Sequence, residues 1–81
     1  MTAYRSTALT IEAEMNDLEA MHEYALYDSA MDCWLTYVYG LKRAHEHAAI
    51  VSAKAAALGH DDIAETWHKI GAQIIKERMN S

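Results

Sequence analysis

The spacing Glu-x-x-His occurs twice in this chain, as Glu19 with His22 and as Glu65 with His68. Residues three apart share one helix face. Di-iron helical bundles build a metal site by joining two such pairs to a glutamate from each of two further helices. Here the middle of the chain offers only Glu46, two positions past the apolar Ala44 and so turned outward. Glu19, His22, Glu65 and His68 are the metal candidates. They read first as hydrogen-bonded histidines beside surface glutamates, with no cofactor expected. His45-Glu46-His47 has the composition of a metal tract, but successive helical residues point about 100° apart, which separates the two imidazoles.

Cys33 is the single cysteine. It cannot form an internal disulfide, and its neighbours three and four positions away are Ser29, Ala30, Thr36 and Tyr37, none of them a base. A thiolate nucleophile needs such a neighbour. The chain holds no G-x-S-x-G, P-loop or Rossmann glycine pattern either, and no enzyme is expected.

Charge is the more informative property. Residues 1–32 carry seven acids (Glu12, Glu14, Asp17, Glu19, Glu23, Asp28, Asp32) against Arg5, a net of −6, while residues 33–81 carry six bases and five acids, a net of +1. Like charges at helical spacing repel, so a solvated face normally mixes signs. A ridge of carboxylates steers toward a basic protein surface and away from nucleic acid. Glu12, Glu19, Glu23, Asp28 and Asp32, with Tyr27 and Tyr39 off the main apolar stripes, are the candidate partner-binding residues, and Leu9 and Ile50 are further off-stripe apolar positions.

These residues must be positioned by helices. The chain has no proline and three glycines among 81 residues, is 52% hydrophobic, and takes its aromatics from Tyr and Trp alone. That suits packed helices better than a sheet. Ala30, Trp34, Tyr37, Leu41, Ala44, Ala48, Val51, Ala55 and Leu58 form an unbroken 4-3 apolar repeat, the pattern of a heptad seam. It predicts one helix of roughly 29 residues, about 43 Å long. Carried backwards, the repeat lands on Tyr27, Glu23, Ala20 and Asn16, not on the stripe Ala8, Ile11, Met15, Leu18, His22. The phase breaks near residue 28, where Ser29-x-x-Asp32 has capping-box spacing. Gly59 ends the long helix and Asp61 or Asp62 starts the next, whose stripe is Ile63, Trp67, Ile70 and Ile74. Lys54 to Ala64, with Gly59 followed five residues on by Ala64, resembles the helix-turn-helix of a tetratricopeptide repeat. With no second copy, that resemblance implies an αα-hairpin and no family function.

The expected fold is all-α. It is a single domain over 1–81 and an antiparallel three-helix bundle of short, long and short helices at about 7–27, 29–58 and 62–79. The neighbours are too short to cover the long helix, which therefore forms a homodimer seam through Trp34, Tyr37, Leu41, Ala44, Ala48, Val51 and Ala55. No membrane span or leader pattern is seen, and a lone cysteine suits the cytoplasm. The expected function is that of a small acidic, non-enzymatic regulator or inhibitor occupying a basic surface of a protein partner, without direct nucleic acid contact. Phage-encoded host-takeover and anti-defence factors offer a class-level analogy. The alternatives are a chaperone or secretion adaptor clasping an amphipathic helix in an alanine-lined groove, and a ferritin-like metal-binding bundle.

Overall fold

The computed structural model describes residues 3–40 and 43–80, and all its regular structure is helical: α1 (Ala3–Ala20), α2 (Tyr24–Val38), α3 (Ala44–Ala57) and α4 (Asp61–Asn80). The all-α class stands, but the described residues form four helices where three were expected.

Three chain reversals share one device. After α1, His22 takes φ +62°, its N–H bonds to Glu19 O, and the N–H of Glu23 reaches back to Leu18 O, each at 3.0 Å. This is the Schellman arrangement, in which one left-handed residue closes the last turn and satisfies otherwise orphaned carbonyls. α3 ends in the same way on Gly59 (φ +83°), with Gly59 N to Ala56 O and His60 N to Ala55 O. α2 ends on Gly40 (φ +73°), with Gly40 N to Tyr37 O.

Two expectations are corrected by these turns. The break expected at Asp28-Ser29 lies at Met21–Glu23, and Ser29 sits inside α2, accepting a hydrogen bond from Lys54 Nζ at 2.8 Å instead of capping a helix. The expected 29-residue helix is folded back on itself after Val38. The physical reason is length. An unbroken helix would leave its seam uncovered, whereas four helices of 14 to 20 residues match one another and bury each other's stripes. The apolar 4-3 repeat runs through the turn because Tyr37 and Ala44 are seven residues apart, so both halves of the folded segment keep their stripe toward the core.

Each helix runs antiparallel to the next. Cys33 lies by Ala44 and Ser29 by Lys54; Ser52 bonds to Ala64 O and His45 to Arg78; Thr7 bonds to Glu77. α1 packs on α2 and α4, and α3 packs on the same two, so α1 and α3 are diagonal partners. The molecule measures 34 × 19 × 18 Å. Its core is Ile11, Met15 and Leu18 from α1, Leu26, Ala30 and Cys33 from α2, Ala44, Ala48, Val51 and Ala55 from α3, and Trp67, Ile70 and Ile74 from α4.

The expected dimer seam is largely spent inside this core. Ala44, Ala48, Val51 and Ala55 are at most 1% exposed within one copy, and Trp34 and Tyr37 pack against the same cluster. Leu41 lies outside the described residues. Of the alanines expected to line a groove for a foreign helix, Ala44, Ala48 and Ala55 are covered within the chain, and Gly71 of α4 comes close enough to Ala48 that a β-carbon there would stand 3.5 Å from the alanine methyl.

Candidate protein-docking wall

Which way each acidic side chain faces follows from the core contacts. On α1, Thr7, Ile11, Met15 and Leu18 point inward, and Thr7 and Thr10 lie on the flank toward α4. At about 100° per residue, Ala8, Glu12 and Glu19 then occupy the opposite flank, beside α2. On α2, Ser29 and Cys33 mark the flank against α3. Tyr27, Met31, Trp34 and Val38 therefore turn toward α1, and Asp28, Asp32 and Tyr39 face outward.

Adjacent helices α1 and α2 thus form one wall that carries the acids of residues 6–40 other than Glu23, against one arginine in the first turn of α1, Arg5. Glu12, Glu19, Asp28 and Asp32 are exposed and, among the described residues, make no ion pair. The opposite half differs: Arg43 Nε meets Glu46 Oε2 at 2.6 Å and Lys69 Nζ meets Glu65 Oε1 at 3.1 Å. Burial, and secondarily the charge of Asp17, raises the pKa of Glu14 on the α4 side of the wall.

The fold brings most of the expected binding residues together, with three exceptions. Glu23 faces His60 across the turns at 3.5 Å and helps join the two hairpins. Tyr27 is half-buried against the core and is mainly a packing residue. Ile50 is exposed on α3, which does not adjoin α1. Leu9 (53% exposed) and Tyr39 (75%) remain on the wall.

Further apolar residues stand on the wall. Met31, Leu35 and Val38 flank the heptad seam in sequence, yet Leu35 and Val38 are 38% and 48% exposed, Tyr24 is 55% exposed, and Met31 is half-buried. The available signal was that α2 is apolar nearly all round, more than one buried stripe can use.

The metal candidates do not converge. Among the described residues no group of three or more His, Cys, Asp or Glu side chains is placed to hold an ion. His22 instead stacks obliquely on Tyr24 with ring centroids 5.7 Å apart, and Glu65 pairs with Lys69. Cys33 is fully buried, its Sγ donates to Ala44 O at 3.5 Å, and burial pushes its pKa up to about 12. An open groove of about 230 Å³ separates α1 from α4, lined by Thr7, Thr10, Thr66, Lys69, Ile70 and Gln73. No described helix is long and apolar enough to cross a membrane.

Fold and wall together define an all-α chain with one acidic, partly apolar side. Compared with protein families, curated proteins and solved structures, the chain matches none.

Proposed function

We propose that this protein is a non-enzymatic docking module, a small acidic regulator or inhibitor that covers a basic surface of a protein partner with its α1/α2 wall. One observation carries this reading: the acidic half of the sequence folds into two neighbouring helices, so its charge is concentrated on one side, where Glu12, Glu19, Asp28 and Asp32 make no ion pair among the described residues. Such a field speeds encounter with a basic surface and repels nucleic acid and anionic lipid. Exposed Tyr24, Leu35, Val38 and Tyr39 on the same wall supply apolar contact that charge alone lacks. The lone buried cysteine suits a reducing cytoplasm. The reading is framed for one copy, because Ala44, Ala48, Val51 and Ala55 of the expected seam are buried within the chain.

The test is capture of partner from the native host by immobilised protein. Reversing Glu12, Glu19, Asp28 and Asp32 to lysine is expected to abolish capture, and reversing the exposed Glu46 and Glu65 to leave it intact. Equal capture by both variants overturns the proposal.

A further inference from the structure

We infer that the partner presents a single basic amphipathic helix, which lies lengthwise along the groove between α1 and α2; this rests on the docking reading above. The apolar residues on the wall are ordered. Tyr24, Met31, Leu35 and Val38 fall within about 60° of one another around α2, at spacings of seven, four and three. They form a strip about 21 Å long, the length of roughly four helical turns.

Acids border this strip on both sides. Glu12 and Glu19 rise from the facing flank of α1, and Asp28 and Asp32 from the outer face of α2. The antiparallel register sets Glu19 at the level of Tyr24, Glu12 at the level of Met31 and the exposed Leu9 at the level of Leu35.

An apolar strip between two acidic rows fits an occupant with an apolar ridge and cations on both flanks. A helix has this form, and it satisfies its own backbone hydrogen bonds while crossing apolar surface. An extended peptide has no sheet edge to join among the described residues and would leave backbone groups unpaired against the strip. A second copy does not fit: its α1/α2 wall repels this one, and among residues 43–80 five bases are balanced by five acids.

The test uses three synthetic peptides of about 18 residues, long enough as a helix to span the strip. The first has leucines at heptad spacing with lysine and arginine on both flanks. The second is a scramble of the same composition without a stripe. The third keeps the stripe but replaces the cations with glutamate. Fluorescence anisotropy is expected to show the first binding at least about tenfold tighter than the second, with gain of helical circular dichroism, and the third not binding. Leu35→Ser with Val38→Ser should lose at least about tenfold for the first peptide with only a modest fall in the protein's own melting temperature, because both side chains are partly exposed and outside the core. Tyr24→Ser provides an independent variant at the other end of the strip. Equal binding of the first two peptides overturns the helix inference and leaves the acidic-wall reading standing. Binding by neither overturns both.

Discussion

The Tyr37 hydroxyl of α2 donates to Glu77 Oε1 on α4 at 2.6 Å, and the Thr7 hydroxyl of α1 donates to Oε2 of the same carboxylate at 2.5 Å. Three helices therefore meet on one side chain that is only 6% exposed. α1 otherwise stands off α4 across the groove lined by Thr10 and Lys69, so this carboxylate closes the bundle at the end where α1 begins. Glu77→Ala leaves both hydroxyls without their shared acceptor, and a loss of about 3 kcal/mol is expected. That corresponds to a fall in melting temperature on the order of 15 °C for a domain of this size. Tyr37→Phe and Thr7→Val each remove one donor and should cost about 1 kcal/mol in urea titrations. A loss under about 1 kcal/mol for Glu77→Ala would refute the clasp.

The turn between α1 and α2 places a β-carbon where glycine is the usual choice. His22 stands at φ +62°, a conformation that costs a non-glycine residue about 1–2 kcal/mol. Part of that is offset, because glycine loses more chain entropy on folding. His22→Gly is therefore expected to raise stability by roughly 0.5–1 kcal/mol, and Gly40→Ala, at φ +73° with open space around it, to lower it by a similar amount. Thermal melts of the two variants should move in opposite directions. Movement in the same direction would mean that the left-handed turns do not set these boundaries.

His22 also explains what could and could not be read in advance. Helical class, the stripes of α1 and α4, and the reversal at Gly59 were legible because each has a local signal: periodicity, or a glycine followed by aspartates. A histidine in the left-handed position has none, whereas Ser29-x-x-Asp32, seven residues further on, has capping-box spacing that the fold does not use. Gly40 did have a signal. It was outweighed by an apolar repeat that continues across it, and such a repeat cannot distinguish one long helix from two antiparallel helices facing a common core. The charge polarity of the wall was legible from composition alone. Its apolar strip was not, because deciding whether Leu35 and Val38 are covered requires knowing where α1 passes.

The folded-back segment makes a separable prediction at the α3–α4 contact. A methyl added at Gly71 would stand 3.5 Å from Ala48 Cβ and 3.7 Å from His45 O, ordinary contact distances. Gly71→Ala should therefore gain helix propensity without a clash and stabilise the protein by up to about 1 kcal/mol. Ala48→Leu instead overfills a site with no exposure and should cost about 1–3 kcal/mol. Neither change should alter the mass measured by sedimentation. A wild-type dimer that dissociates on Ala48→Leu would return this seam to the surface between copies.

Cys33 supplies a prediction in which pH sets the sign. Its thiol is buried among core residues, and desolvation of the thiolate raises the pKa from 9.0 to about 12. In the unfolded chain the same thiol ionises near pH 9, so above that pH the unfolded state binds fewer protons than the folded one and stability declines with rising pH. The contribution is unaffected below pH 9 and is lost progressively as pH rises from about 9 toward about 12. Urea unfolding of the native chain should therefore lose stability over that range relative to Cys33→Ala, whose core lacks the titrating group; at pH 7 the two should differ by a pH-independent amount. Reactivity follows the same physics. At pH 8 a thiol with a pKa near 12 is ionised to about one part in ten thousand, so alkylation should proceed at the rate at which the bundle opens and accelerate steeply in denaturant. Rapid alkylation of the native protein at pH 8, or a stability difference that stays flat above pH 9, would show that α2 does not hold Cys33 against Ala44 in the core.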